Sequence, residues 1–182
     1  SRSWGALAPH CEANAEIREA VVRHITSDRM KYREHELWEL MAFVKDERLR
    51  DHAISVFQST DHRADYWSLL ALVRGWSDDP KARAVFAEAL ALPDDQMQML
   101  VSLFPELYDD PAAARNRLIR IARTVPNARW DLIVQALDIL GLDGTDTEAV
   151  EALLPHARDP NPSIKSADSV FAVFGQSLAV RE

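Results

Sequence analysis

The sequence is poor in several features that point to particular classes of protein. Its 182 residues include one cysteine, Cys11, so an internal disulfide bond is excluded and a reducing, cytoplasmic location is expected. Glycine occurs only 5 times, and no stretch alternates polar and apolar residues between hairpin turns, which argues against a β-rich chain. No apolar run approaches the roughly 20 residues of a membrane-spanning helix, so we expect no membrane partner.

Basic residues are also fewer than acidic residues. The chain carries 21 basic and 29 acidic residues, so nucleic acid is an unfavourable partner unless a local basic patch exists. Hydrophobic residues make up 47% of the chain, which is enough for a sizeable core. Arginine outnumbers lysine 17 to 4, which we interpret as a mark of a GC-rich bacterial genome. The sequence starts without methionine and within a repeating pattern, so we expect a piece of a longer protein.

The repeating pattern is clearest in a phrase that occurs twice. The segment WSDDPKAR is followed 32 residues later by YDDPAAAR. Each phrase predicts the start of a helix, because Asp79 and Asp110 can accept backbone N–H groups as N-caps and a proline follows at the first helical position. Two variants predict further helix starts, with Thr145 as the cap in GTDTEAV and Asn161 as the cap in DPNPSIK.

Two series of residues give the period of the pattern. The arginines that follow the helix starts are 32, 33 and 32 residues apart. Tryptophans that lead a preceding helix are 34, 29 and 63 residues apart, and Met97 stands in for tryptophan inside the double interval. The arginines are Arg18, Arg50, Arg83 and Arg115, and the tryptophans are Trp4, Trp38, Trp67 and Trp130.

The two series together predict a two-helix repeat. A helix pair cannot bury its apolar face alone, so neighbouring pairs must stack into one continuous core. We therefore expect an all-α protein, a right-handed α-α superhelix (solenoid) that forms a single domain over residues 1–182. The phase of the last repeat is open, because the DPNP turn fits inside a repeat as well as between two. About five repeats are predicted, at residues 3–30, 34–61, 64–92, 94–125 and 127–158, with a terminal helix at 161–179.

This pattern resembles the HEAT family of α-solenoid repeats, from Trp4 to about Val180. In this sequence and in HEAT repeats, a first helix rich in Trp or Leu is followed by the sequence D-x-P or D-D-P. An arginine then opens a second helix. The resemblance implies a non-catalytic protein-interaction or ligand-sensing scaffold module of a larger bacterial protein, without metal or cofactor. Its expected partner is another protein or another domain of its parent chain. The Arg/Asp-rich units are also similar to arrays that follow the NTPase domain of bacterial NACHT-class signalling or defence proteins. The phosphate-binding sequence G-x-x-x-x-G-K-[ST] does not occur here.

Two enzyme branches of HEAT-like proteins offer alternatives. The pair His35-Glu36 is similar to the His-Glu pairs of the di-iron deoxyhypusine hydroxylases, but it occurs once and a metal site needs three or four ligands. The stretch RWDLIVQALDILG is similar to the Trp-Asp stretch of alkylpurine DNA glycosylases, which makes Asp131 the candidate catalytic residue. A nucleic-acid-binding or DNA-repair enzyme is therefore the alternative function, and it should show a basic footprint.

The residues of the two series are predicted to be structural. Large aromatic side chains dominate core energetics, so we expect the tryptophans of the series to anchor the core and Trp76, outside the series, to be the most exposed. The aspartates and arginines are expected to cap helices and to tie adjacent repeats together. Stacking platforms for bases or sugars and a ligand site are the functional alternatives for these two sets.

One segment departs from the mixed charge of the others. ARNRLIRIARTVPNAR contains five arginines and no acidic residue. The apolar stripe of its helix includes Leu118 and Ile121, and Arg117, Arg120 and Arg123 lie away from that stripe. Guanidinium groups suit carboxylates and phosphates, so we predict that these three arginines form part of a contact surface. A solvated helix face is the alternative interpretation.

Overall fold

A computed structural model describes five stretches of the chain, which are residues 8–27, 35–59, 66–126, 128–141 and 146–157. These stretches form ten α-helices and two 3-10 turns with no strand among them, which confirms the predicted all-α class. No helix within them has the length and apolar character needed to cross a membrane. Trp4 and the predicted terminal helix 161–179 lie outside these stretches. The chain divides into two compact units, Ser1–Ala91 and Leu92–Glu182.

The described part of the first unit is a set of helices in two rows. Helix α1 contacts α3 and α3 contacts α5, while α2 contacts α4 and α4 contacts α6. Further contacts of α1 with α2, α4 with α5 and α5 with α6 join the two rows, so the helices bury apolar residues against one another. The helices are α1 (Ala8–Ala13), α2 (Ala15–Ile25), α3 (His35–Val44), α4 (Glu47–Ser59), α5 (Tyr66–Trp76) and α6 (Pro80–Leu90).

Helices α3 and α5 pack closely in the first row. Gly75 of α5 lies against Ala42 of α3, and a Cβ atom built on Gly75 would stand 3.0 Å from the Cα atom of Ala42. Such a contact is tighter than most that real Cβ atoms make, so a side chain at this position would push the two helices slightly apart. Leu37, Leu69 and Leu72 of the same two helices are completely buried.

The described part of the second unit is less regular. Helix α8 contacts α9 and α10, and the short α7 contacts α8 and α9. Two 3-10 turns, Asp94–Gln96 and Val101–Leu103, precede α7. The α-helices are α7 (Phe104–Leu107), α8 (Pro111–Thr124), α9 (Trp130–Ile139) and α10 (Thr147–Ala157).

The repeat 94–125 was expected to open with one helix, and this prediction is wrong. Two 3-10 turns and the short helix α7 lie there instead. Pro105 explains the break, because a helix running through it would lose one backbone hydrogen bond and place the proline ring against the carbonyl of Val101. The chain still buries the large apolar residues of this segment. Met97 and Phe104 are both 0% exposed, so the segment fills the core as two turns and a short helix instead of one helix.

Each second helix of a predicted repeat begins at a side-chain cap. The predicted caps Asp79 and Asp110 accept backbone N–H groups at the starts of α6 and α8. Helix α10 is capped by Asp146, which accepts the N–H of Ala149, so the predicted cap at Thr145 is one residue too early. An acidic or amide side chain ahead of the first helical turn satisfies N–H groups that the helix cannot. The five capping residues are Asn14, Asp46, Asp79, Asp110 and Asp146.

The helix pairs follow the predicted boundaries over much of the chain. Helices α3 and α4 fall within 34–61, α5 and α6 within 64–92, and α9 and α10 within 127–158. The right-handed superhelix and the single domain over 1–182 stay predictions.

Candidate interaction surface

Two arginines of the predicted series bind the cap of a later helix. Arg50 of α4 is 6% exposed, and its Nη1 donates to Oδ2 of Asp79 at 2.7 Å. Arg115 of α8 donates through Nε and Nη2 to the two carboxylate oxygens of Asp146, at 2.8 and 2.7 Å. The partners are 29 and 31 residues apart in sequence. Asp79 and Asp146 therefore each start a helix and bind an arginine from the preceding second helix.

Further polar contacts at nearly the same sequence separation join the second-row helices of the first unit. Arg48 of α4 donates to Glu19 of α2 at 2.9 Å across 29 residues. Lys81 of α6 donates to Asp51 of α4 at 3.3 Å across 30 residues. Ion pairs as exposed as these contribute little energy singly, so their recurrence matters more than any one of them. They show that consecutive second-row helices are neighbours in register.

The other two arginines of the series occupy different surroundings. Arg18 lies close enough to Asp46 to act on its charge. The pKa of Asp46 is lowered chiefly by a hydrogen bond from Arg48, burial opposes that shift, and Arg18 adds a weaker electrostatic lowering. Arg83 donates through Nε to the backbone carbonyl of Ser77 at 3.2 Å. The four arginines therefore lie at similar helical positions, but their contacts differ.

Arg117 of the cluster is an internal residue of the second unit. Its side chain is only 11% exposed. It donates to Asp94 at 3.0 Å, to the Tyr108 hydroxyl at 3.1 Å and to the Leu92 carbonyl at 2.6 Å. The guanidinium also lies 5.7 Å from the centre of the Phe104 ring. These contacts leave Arg117 little surface to offer a partner, so its main role is to hold residues 92–108 against α8.

Arg120 and Arg123 also have carboxylate partners but keep exposed surface. Arg120 donates to both oxygens of Asp94, at 2.6 and 3.0 Å, and its side chain is 59% exposed. Arg123 donates to Glu148 at 3.1 Å and is 45% exposed. Arg120 holds the pKa of Asp94 below its usual value, burial opposes that shift, and Arg117 supports it. The arginine-rich segment 114–129 contains no acidic residue, but Asp94 and Glu148 of the same unit supply carboxylates to its arginines.

The tryptophans match their predicted burial at Trp38 but not at Trp67 and Trp76. Trp38 is 1% exposed, and its indole Nε1 has no acceptor among the described residues. Trp76 is 9% exposed, so the prediction that it is the most exposed tryptophan is wrong. Trp67 is only half-buried, with its ring edge-on to Tyr66 at 5.0 Å. Trp76 faces the core because it ends α5 on the buried side of that helix, whereas Trp67 lies in the first turn. Trp130 begins α9, but its side chain lies outside the described part.

The residues considered for catalysis show no shared site. The N–H groups of Arg129 bind both carboxylate oxygens of Asp131 at 2.9 and 2.7 Å, and this contact lowers the pKa of Asp131. Cys11 is buried, and burial raises the pKa of its thiol. His35 begins α3, but its side chain is outside the described part. Among the described residues no group of three or more His, Cys, Asp or Glu side chains is arranged to hold a metal ion.

Three large apolar side chains that the sequence patterns do not single out are exposed. Phe43 of α3 is 61% exposed, Ile139 of α9 is 64% exposed, and Met99 is 41% exposed. A helical-face count would have found Phe43 and Ile139, because each lies four residues after an exposed polar residue of the same helix, Glu39 or Gln135. Single exposed apolar residues are common, so these are candidates for contact positions and nothing more by themselves.

Comparison of the chain with family models, curated proteins and solved structures finds no match in any of the three. The function therefore has to be argued from the geometry of the two units.

Proposed function

We propose that this chain is a non-catalytic, cytoplasmic scaffold segment of a larger bacterial protein, built as a HEAT-like right-handed α-solenoid. Its partner is another protein or another domain of its parent chain. The observation that carries the proposal is the recurrence of polar contacts between helices 29 to 33 residues apart, including the two arginines that bind the next cap. Contacts at one sequence interval are what stacked repeats require.

The distribution of charge supports binding in place of catalysis. The carboxylates beside the cluster, Asp94, Asp146 and Glu148, are bound by arginines of the same unit. They therefore contribute to stacking and are poor candidates for proton transfer. Arg120 and Arg123 retain exposed guanidinium surface held in fixed orientations, which reduces the entropy lost when they bind a carboxylate.

Site-specific photo-crosslinking tests whether the exposed apolar positions contact a partner. A photoreactive amino acid at Phe43 or Ile139, introduced into the parent protein in cells, should give a discrete adduct with one partner. Matched positions at Ser55 and Ala87 are exposed on the second-row helices α4 and α6 and should give none. Equal adduct yields at all four positions would indicate random collision and would contradict the proposal that Phe43 and Ile139 are contact positions.

The two exposed arginines can be tested once that partner is known. Arg120→Gln with Arg123→Gln, leaving Arg117 in place, should weaken binding, and more so at low salt, where charge contacts are least screened. Arg23→Gln changes an exposed arginine of α2 and provides the control. Unchanged affinity of the double variant at every ionic strength would leave these arginines as a solvated helix face.

The described residues give no support to the alternative, a nucleic-acid-binding or DNA-repair enzyme. Its candidate Asp131 is already bound to Arg129, and the arginines of the cluster are matched by carboxylates.

A further inference from the structure

Among the methionines that the structure describes, Met99 is the one that small molecules in solution can reach. It is 41% exposed, whereas Met41 and Met97 are both 0% exposed. Met99 lies in the second unit, in the short turn at residues 98–100 that joins the two 3-10 turns. A thioether sulfur is oxidised readily where an oxidant can approach it, so Met99 is the described sulfur most open to oxidation.

The sulfur of Met99 faces an arginine whose orientation is already fixed. Nε and Nη2 of Arg129 donate to the two carboxylate oxygens of Asp131, at 2.9 and 2.7 Å. The remaining nitrogen, Nη1, donates to Sδ of Met99 at 3.6 Å, across 30 residues of sequence. This contact joins the turn at 98–100 to the start of α9. Because a thioether is a weak acceptor, the charged donor has a poor partner in the unoxidised protein.

We propose that Met99 is an oxidation site for hydroperoxides and that Arg129 binds the sulfoxide that results. A lone pair of the sulfur attacks the terminal oxygen of the hydroperoxide, so the O–O bond breaks and an S–O bond forms. The departing oxygen takes up the proton of the transferred hydroxyl group and leaves as water or an alcohol. The sulfur loses two electrons and the hydroperoxide gains them, which gives methionine sulfoxide. Its oxygen is a far better acceptor than sulfur for a guanidinium N–H.

The effect of this oxidation on stability is opposite to the effect expected in a core. A sulfoxide among apolar side chains disrupts their packing. The Met99 side chain is exposed, and the new oxygen meets a guanidinium group that Asp131 already holds in place, so little entropy is lost when the two bind. The oxidised chain should therefore hold the turn at 98–100 more firmly against α9.

Mass spectrometry of peptides tests the site of oxidation. Dilute hydrogen peroxide should oxidise Met99 of the folded protein about tenfold faster than Met41 and Met97, because those two sulfurs react only when the core opens. The same reaction in urea gives the reference rates for the unfolded chain. Equal rates at the three sulfurs in the folded protein would overturn the proposal.

Urea unfolding before and after peroxide treatment tests the role of Arg129. Oxidation should raise the equilibrium constant for folding of the wild type about fivefold, as one net hydrogen bond does, and should give no such gain in Arg129→Ala. Met99→Leu is the matched control, and its response measures any contribution from Met30 and Cys11. An equal change in the wild type and in Arg129→Ala, or no gain in the wild type beyond that of Met99→Leu, would refute the proposal.

A second variant tests the same contact without an oxidant. Met99→Gln places an amide oxygen where the sulfoxide oxygen would be, whereas Met99→Leu offers Arg129 no acceptor. Met99→Gln should therefore be the more stable of the two in urea unfolding. This comparison decides the question even if Arg129→Ala does not fold, and a Met99→Gln variant no more stable than Met99→Leu would overturn the assignment of Arg129.

Discussion

The two units solve the same packing problem with different first helices. In the first unit α3 and α5 are continuous and meet closely at Gly75 and Ala42. In the second unit two 3-10 turns and the four-residue α7 precede α8. The second helices α6 and α8 nevertheless begin in the same way, at an aspartate followed by proline. The capping aspartate and the proline after it therefore set where these two helices begin. The element that precedes each of them can be a continuous helix or a set of turns.

The difference also explains the arginine cluster. A continuous helix satisfies its own backbone groups, but the irregular segment ahead of α8 has a carbonyl, that of Leu92, which Arg117 binds. Arg120 and Arg117 together hold Asp94 of the first turn. The excess of arginines thus lies on the helix that borders the broken element. A cluster of arginines can therefore serve to bind an irregular backbone segment nearby, and not only an external partner.

The largest effects should come from the apolar anchors that the two units use. Phe104→Ala in the second unit and Trp76→Ala in the first should each lower the free energy of unfolding by about 3–5 kcal/mol, because both side chains fill the core. Trp67→Ala should cost clearly less, since this ring is half-buried. Urea unfolding followed by far-ultraviolet circular dichroism gives the three values. A larger loss at Trp67 than at Trp76 would contradict the packing of α5 described above.

A cap that also binds an arginine should matter more than a cap that does not. Asp79→Ala removes the cap of α6 and leaves buried Arg50 with one partner fewer, so we expect a loss of about 2–4 kcal/mol. Asp110→Ala should cost about 1 kcal/mol, the value of a cap alone.

Asp79→Asn separates the two contributions of that residue. Asparagine caps a helix as well as aspartate does, so this variant should fall between the wild type and Asp79→Ala. Equal stability of Asp79→Asn and the wild type in urea unfolding would show that the ion pair with Arg50 adds nothing.

The close approach of α3 and α5 can be tested at its narrowest point. Gly75→Ala adds a methyl group 3.0 Å from the Ala42 Cα atom. Overpacking costs about 1–3 kcal/mol and outweighs the gain of about 1 kcal/mol in helix propensity, so the melting temperature should fall. Ala87→Gly on the exposed side of α6 measures the propensity contribution alone. A rise in the melting temperature of Gly75→Ala would mean that the two helices are farther apart.

The smallest effects concern the ends of one first helix in each unit. Lys45 follows α3 with φ at 50°, and Gly141 follows α9 with φ at 75°. Glycine adopts this left-handed conformation without strain, whereas other residues lose about 1 kcal/mol. Lys45→Gly should therefore raise, and Gly141→Ala should lower, the free energy of unfolding by about that amount. Thermal melts of both variants measure it, and shifts of the same sign would contradict the assigned backbone.

The sequence predicts those parts of the structure that depend on near neighbours. The caps Asp79 and Asp110 are correct because a cap and its first helical turn lie within four residues. The partners of Arg117 could not be predicted, because they lie 9 to 25 positions away and meet it only in the folded chain. The burial of Trp76 depends in the same way on the helices that pack against α5. Pro105 marks the break in the sequence itself, whereas Met97 at the tryptophan position of the series favours a continuous helix there.

The double use of the capping aspartates has a consequence for how such a chain changes its length. Where a capping aspartate also binds the arginine of the preceding second helix, as Asp79 and Asp146 do, copying or deleting a block that carries one such cap and one such arginine leaves neither charge without a partner. The pairing also tolerates drift in length, since Arg50 lies four residues after Asp46 and Arg115 lies five after Asp110, yet both reach the next cap. Recombination between blocks of this kind can therefore change their number without redesigning either of these two helix starts.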